Sequence, residues 1–319
     1  MLTALANLYG RSVESLLAEA GVLRGVRYRC LKSVAEGEKR RFEGQGQAWL
    51  EAYSNVEVLL GRQLSNRHPE FRVQRDVTGP ALAERVRELY KFGIYPVPSA
   101  IRLTENFGIR VIQLETDARI DAFAGWLDDA RVVVLNSTLP NDRVRLTILH
   151  ELAHHLYEDC LDDSRPLDHE EIERRAFEFA SHLLIPDSAL AAAFGLKSMV
   201  RLVQYKERFG ISLAAMIYRA GKSGLISKQL YERIWRDFSR MGLNKAEPGR
   251  VGADRPVRLE AMMDAAIGQK LASYEQVADW VGVPVSAVKS RVLAAMGGSA
   301  GAIDDDQSGA GSFRLQDYR

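Results

Sequence analysis

The sequence predicts an α+β fold that is mostly helical and carries a small three-stranded antiparallel sheet. Three short segments, 109–115, 121–127 and 131–136, are rich in β-branched and aromatic residues and are separated by polar turns. Before and after them, apolar residues recur at helical spacing. The two patterns together predict an antiparallel meander with helical parts on its N- and C-terminal sides.

Three helices are predicted between the N-terminal region and the strands. The longest spans about 34–60, a second begins at Pro80, and a short third ends at Gly108. The apolar face of the longest helix is interpreted as buried core or a homodimer face rather than a ligand site. That face consists of Phe42, Trp49, Tyr53 and Val56.

The second half of the sequence is predicted to be helical, with one interruption. Residues 244–258 are rich in Gly, Pro and charge and read as a linker. A small helical unit is predicted over 259–297. Residues 298–319 are low in hydrophobicity, which is typical of a disordered tail.

Composition excludes several classes of protein. The 43 basic and 42 acidic residues give a formal net charge of +1, so no global attraction to nucleic acid or membrane is expected. Only Cys30 and Cys160 are present, which argues against a disulfide framework. The sequence shows no signal-peptide pattern and no run of 18 apolar residues. These observations predict a cytoplasmic protein without a membrane partner.

The strongest functional signal is the segment "TILHELAHHLYED" at 147–159. Positions four apart lie on one face of a helix, so His150 and His154 can hold the same metal ion. Glu151, about 100° around the helix, can reach a bound water and act as a general base. The surrounding residues are apolar, and burying these three groups without a partner would be costly. The motif therefore predicts one Zn²⁺ per chain.

A third protein ligand must come from elsewhere in the sequence. The next predicted helix offers several candidates, and spacing alone does not choose among them. They are His169, Glu170, Glu171, Glu173, Glu178 and His182.

An ordered series of motifs resembles the ImmA/IrrE-type metallopeptidases. "IDAFAGWLDDARVVVLN" is similar to the strands before the active helix of that family, and "NDRVRLTILHELAHHL" is similar to the helix itself. "ERRAFEFASHLLIP" is similar to the downstream signature, and "YRAGKSGLISKQLYERIWRDFSRMGLNKAEPG" to the helical extension. The likeness covers roughly 30–290, and it identifies 30–243 as the metallopeptidase domain.

The resemblance implies a zincin-like fold and specific roles for four residues. His150, His154 and Glu173 would be the metal ligands, and Glu151 the general base. The implied substrate is a helix-turn-helix transcriptional repressor, whose cleavage relieves repression. One family position, often asparagine, is Phe177 in this sequence, which is expected to remove a contact near the site.

Three further residues are weighed for roles near the site. His155 follows the second histidine and is interpreted as a surface group or a support for the ligands. Tyr218 could stabilise a developing oxyanion. Arg145 could contact an acidic substrate, or pair with the acidic residues 128–129.

The N-terminal residues 1–25 resemble the last helices of an XRE-type helix-turn-helix domain. DNA is therefore expected as a partner only if a complete N-terminal domain exists. The segment 274–292 also looks like a helix-turn-helix, but Lys289 and Arg291 alone would be a thin DNA footprint. The alternative to a peptidase is an XRE-type regulator or an antitoxin-like binding protein.

Overall fold

We describe the fold from a computed structural model. The structure describes residues 21–30, 33–68, 71, 77–116, 119–157, 169–195 and 198–296. The predicted tail 298–319, Cys160 and most of the predicted N-terminal helix-turn-helix remnant lie outside these residues.

The sheet has four strands in the order β1-β3-β4-β2. They are β1 (Leu23–Cys30), β2 (Arg110–Leu114), β3 (Ile120–Leu127) and β4 (Ala130–Asn136). β3 pairs antiparallel with both β1 and β4, whereas β2 pairs parallel with β4. The α+β prediction is confirmed, but the antiparallel three-stranded arrangement is wrong.

Two physical reasons explain the difference. Only two residues separate β3 from β4, so these strands form a hairpin and β4 occupies the position between β2 and β3. Strands that are consecutive in sequence are neighbours in a sheet only about two-thirds of the time. The fourth strand, β1, includes residues 23–25, which the sequence had placed in the helix-turn-helix remnant.

The described helices surround this sheet. α1 is the long predicted helix, α2 and α3 lead into β2, and α4 follows β4 and carries the His-Glu-x-x-His motif. In chain order they are α1 (Glu36–Leu60), α2 (Gly79–Leu89), α3 (Ala100–Asn106), α4 (Asn141–Leu156), α5 (His169–Leu184), α6 (Asp187–Phe194), α7 (Met199–Phe209), α8 (Leu213–Lys222), α9 (Lys228–Arg240), α10 (Arg258–Gly268), α11 (Tyr274–Val281) and α12 (Val285–Met296).

Each face of the sheet packs against its own helices. Ala122, Ala124, Val133 and Leu135 belong to a core shared with α4, α5 and α8. The intervening residues of β3 and β4 face a second core, built with α1 and the C-terminal helices α10–α12. Phe42, Tyr53 and Val56 of the predicted apolar stripe are buried in this second core, and Trp49 packs against it.

The predicted linker 244–258 is packed onto the protein, and we call it the strap. The Glu247 carboxylate lies 2.9 Å from Lys206 Nζ and accepts hydrogen bonds from the backbone of Leu213 and Ala214 at the start of α8. Asp254 is 5% exposed and bonds Arg145 of α4 at 2.7 Å. Buried ion pairs therefore tie down a segment that composition alone reads as a linker.

None of the helices in the described ranges is long and apolar enough to cross a bilayer.

Candidate metal centre

α4 is almost entirely buried, and this places its polar residues inside the protein. The helix begins after Pro140 and ends at Leu156, with Tyr157 as its C-cap. Leu149, Leu152 and Ala153 pack into the core around the motif. The apolar residues of the segment thus carry two histidines and a glutamate into a site that water scarcely reaches.

α5 lies against α4 and brings an acidic side chain to the motif. The start of α2 holds α5 closely, because a Cβ added to Gly79 would come within 2.6 Å of the Arg175 carbonyl oxygen. On its inner face, α5 packs Ala176, Phe179 and Ala180 into the shared core. This packing directs Glu173 toward the α4 histidines.

His150, His154 and Glu173 form a compact group of donor atoms. The two Nε2 atoms are 3.1 Å apart. Glu173 Oε2 lies 3.1 Å from His150 Nε2, and Glu173 Oε1 lies 3.5 Å from His154 Nε2. Within the described residues these are the three side chains brought together as a potential metal site.

The donor set fits a tetrahedral divalent metal. Ligands about 2.05 Å from such an ion are about 3.3 Å from one another, close to the three separations found here. Two imidazoles and one carboxylate are also ligand types that zinc accepts, with a fourth position open to water. The residues present are therefore suited to hold a metal.

Burial and neighbouring charges determine the protonation of His150 and Glu173. Desolvation lowers the pKa of His150 to about 3, and the charge of Arg29 acts in the same direction. Burial raises the pKa of Glu173, but His150 and His154 outweigh it and hold that pKa well below its usual range. Neutral imidazoles and an ionised carboxylate are the protonation states that metal binding requires.

Glu151 is buried beside the donor group, with 2% of its surface exposed. Burial raises its pKa to about 7, while the charges of His154, Arg29 and Arg27 oppose this increase. A carboxylate with a pKa near neutrality can both accept and donate a proton at physiological pH. Glu151 thus has the chemistry of a general base that later acts as an acid.

Among the candidate third ligands on α5, the structure places only Glu173 beside the two histidines, within the described residues. Glu171 is bound to Arg175 at 2.6 Å, and Glu178 to Arg174 at 2.7 Å. Glu170 is exposed, and the His169 side chain lies outside the described part. His182 Nδ1 lies 2.7 Å from the carbonyl oxygen of Glu178.

His155 is not a surface residue. It is 1% exposed, and its Nε2 lies 3.2 Å from the carbonyl oxygen of Val132 in β4. Its ring also meets the edge of Trp126 at 6.3 Å. Burial lowers its pKa to about 3. His155 therefore fastens α4 to the sheet, which supports the ligands through the position of the helix.

Arg145 has a structural role in place of the predicted substrate contact. Besides bonding Asp254 of the strap, it donates to the carbonyl oxygen of Val97 at 2.5 Å. Its pairing with residues 128–129 is also wrong, because Arg24 takes that place. Arg145 lies on a different face of α4 from the histidines, so its guanidinium points toward the strap.

Tyr218 lies at the edge of the site region. Its ring packs edge-on against Phe177, with the ring centroids 5.2 Å apart. Phe177 is one helical turn beyond Glu173 on α5, which puts Tyr218 about one turn from that carboxylate. The role of Tyr218 at an oxyanion stays a prediction.

The sequence reasoning missed the contribution of β1. Arg27 and Arg29 lie on this strand, and their charges act on Glu151. A signal was present in "LRGVRYRC", where Val26, Tyr28 and Cys30 alternate with the arginines at the period of a strand. Residues 1–25 were assigned to the helix-turn-helix remnant and no element was predicted for 26–30, so this alternation was not used.

Residues 104–220 match the model of the Peptidase_M78 family, described as the IrrE N-terminal-like domain. The matched range includes β2–β4, α4, α5 and α8, whereas β1, α1 and the strap lie outside it. Among curated proteins, none matches the chain.

Proposed function

Because residues 104–220 form an ImmA/IrrE-type metallopeptidase domain, we propose that this protein is a zinc-dependent endopeptidase. The observation that carries the proposal is the group formed by the buried His150 and His154 and the half-buried Glu173, with the buried Glu151 directly beside it. Its donor atoms, protonation states and neighbouring carboxylate match what metal-assisted hydrolysis of a peptide requires.

Two imidazoles and a carboxylate would hold the ion and leave a position for water and substrate. When bound, a divalent metal supplies Lewis-acid polarisation of the scissile carbonyl and lowers the pKa of water to about 7. Zinc suits this donor set best, although manganese and iron accept the same ligand types.

Glu151 performs the proton transfers in this proposal. Its carboxylate takes the proton of the attacking water and passes it to the leaving amine. The same residue therefore accepts and releases the proton. The low polarity of the surroundings keeps its pKa near 7, which suits both transfers. The neutral His155 holds α4 on the sheet and so fixes the position of Glu151 relative to the ligands.

We propose a helix-turn-helix transcriptional repressor as the substrate, on the strength of the family resemblance. The alternative of a DNA-binding regulator gains little support from the C-terminal helices. In α12, Arg291 bonds Asp264 at 2.7 Å and Lys289 lies 3.8 Å from Glu275. Cations already engaged with acidic neighbours form a weak electrostatic footprint for phosphates.

The substitution Glu151→Gln tests the proposed chemistry. We expect cleavage of a peptide library, prepared from a bacterial lysate digest, to slow by about 1,000-fold, because a general base contributes on the order of 100- to 10,000-fold. Cleavage is read by mass spectrometry, and zinc content by elemental analysis.

The exposed Glu170→Gln on α5 is the matched control and should cleave at the wild-type rate. The proposal is wrong if Glu151→Gln keeps its zinc and cleaves as fast as the wild type.

A further inference from the structure

β1 presents two arginines to the same face of the sheet as α4. In the β1–β3 register, Arg27 lies opposite Ala124 and Arg29 opposite Ala122. Both alanines belong to the core that contains α4. Side chains alternate along a strand, so Arg27 and Arg29 point to the α4 face while Tyr28 points to the other. The contact of Tyr28 with Glu43 of α1 agrees with this assignment.

This part of the sheet lies beside α4, because Trp126, two residues beyond Ala124 on the same face of β3, contacts the ring of His155 next to His154. Arg29 is 8% exposed and is already committed to the protein, since its Nε lies 3.8 Å from Asp121. Asp121 also binds Arg143 of α4 at 2.7 Å, which joins β1 to the active helix. Arg29 is therefore part of the wall of the site.

Arg27 differs from Arg29 in its surroundings. It is partly exposed, and within the described ranges it makes no hydrogen bond or ion pair with another side chain. Arg24, near the start of β1, donates to the Asp128 carbonyl and lies 3.5 Å from the Asp129 carboxylate. Among these three arginines, Arg27 alone combines a place on the α4 face of the sheet with a guanidinium that has no acidic partner within 4 Å among the described residues.

A guanidinium in this setting is suited to bind a carboxylate. Its five N–H groups form a planar fork that matches two carboxylate oxygens, and its charge persists at any physiological pH. Partial burial strengthens such a pair relative to one in open water.

We infer that Arg27 is a specificity-determining residue, which binds an acidic side chain of the peptide substrate on the β1 side of the metal site. The inference rests on the proposed peptidase function and extends it to a substrate class. It also gives a role in that function to a strand outside the matched domain.

Two steps test the inference with the zinc-loaded full chain. The lysate-digest library first shows which substrate position favours Asp or Glu. Three matched peptides, with Asp, Asn or Lys at that position, are then compared by their kcat and KM. We expect the wild type to cleave the Asp peptide about tenfold more efficiently than the Asn peptide, as for a hydrogen-bonded charged pair.

Substitutions at position 27 should change this preference in the direction set by the charge of the new side chain. Arg27→Gln should remove the difference in kcat/KM between the Asp and Asn peptides. Arg27→Glu should favour the Lys peptide, and Arg27→Lys should keep a weaker preference for Asp. Arg24→Gln is the control, because that arginine is already paired, and it should behave as the wild type.

Several outcomes would overturn the inference. A wild-type protein without an acidic preference would do so, as would an Arg27→Glu variant that retains one. If Arg27→Gln slows the Asp and Asn peptides equally, Arg27 acts only by positioning Glu151, and it does not select the substrate. Failure of the wild type to cleave any library peptide would instead reject the peptidase function itself, and this inference with it.

Discussion

Two buried clusters of charged residues, both touching α4, differ in how their charges are balanced. In the strap cluster, Asp254 binds the Arg145 guanidinium, the Ser99 hydroxyl at 2.6 Å and the Ala100 amide at 2.7 Å. In the metal centre, the carboxylate of Glu173 faces the rings of His150 and His154, and no arginine or lysine among the described residues lies within 4 Å of it. One carboxylate has its own cation, whereas the other has only imidazoles as partners.

This difference distinguishes a structural carboxylate from a functional one more clearly than the residue type does. A buried carboxylate that has its own cation and hydrogen-bond donors serves the fold, since its desolvation is compensated locally. A half-buried carboxylate whose described partners are only imidazoles, such as Glu173, favours an external cation, and strongly perturbed pKa values cluster at functional sites. Breaking each cluster should therefore have a different consequence.

The largest effect on metal binding is expected for Glu173→Ala. Zinc affinity should fall by at least about 100-fold, because even the outer partners of a metal ligand contribute 10- to 100-fold. Competition with a chromogenic chelator measures the change. Glu171→Ala removes a carboxylate from the same helix that is bound to Arg175, and it should leave zinc affinity unchanged. Equal zinc affinity of Glu173→Ala and the wild type would exclude Glu173 as a ligand.

Asp254→Ala should have the opposite profile, with lost stability and retained metal. Removing one partner of a buried ion pair leaves Arg145 uncompensated, which costs about 3 kcal/mol of the free energy of unfolding. Urea denaturation measures this loss, and elemental analysis should still find the wild-type zinc content.

The exposed pair Asp237–Arg240 provides the control, with Asp237→Ala costing less than about 1 kcal/mol. A similar small cost for Asp254→Ala would show that the strap is not held by this pair.

The smallest effect is expected for Glu105, a buried carboxyl group that belongs to neither cluster. It is 8% exposed, and burial raises its pKa to about 7, although Arg258 and Arg102 act to lower it. A raised acid pKa means that the folded protein holds a proton which the unfolded chain releases, so stability falls as pH rises from about 4.5 to 7. Between pH 5 and 7.5 this group should account for roughly 2 kcal/mol.

Comparing the wild type with Glu105→Gln isolates the contribution of Glu105. The variant should lose less stability than the wild type over that pH range in urea denaturation. Identical pH slopes for the two proteins would mean that Glu105 does not hold the extra proton.

The parts of the site that were predictable are local in the sequence. His150, Glu151 and His154 lie within five residues, and the helical period alone determines which face each occupies. The α+β class also follows from local periodicity. Glu173 is different, because spacing left six candidates open and the family resemblance selected it.

Arg145 and the strap show why local patterns are insufficient elsewhere. An arginine near an active helix and a Gly- and Pro-rich segment each have an ordinary reading as substrate contact and linker. Their true relationship, a buried ion pair between residues 145 and 254, depends on packing across more than 100 positions. No short-range sequence pattern predicts a contact between residues so far apart in the chain.

The sequence by itself determined the helical His-Glu-x-x-His motif, the α+β class and the formal net charge of +1. These features depend on residue type and short-range periodicity, which folding does not rearrange. Only the tertiary structure decided which acid on α5 faces the histidines, that β2 is parallel to β4, and that β1 brings Arg27 and Arg29 to Glu151. Each of these results from packing between segments far apart in the chain, where many pairings satisfy the same local pattern and only the assembled core selects one.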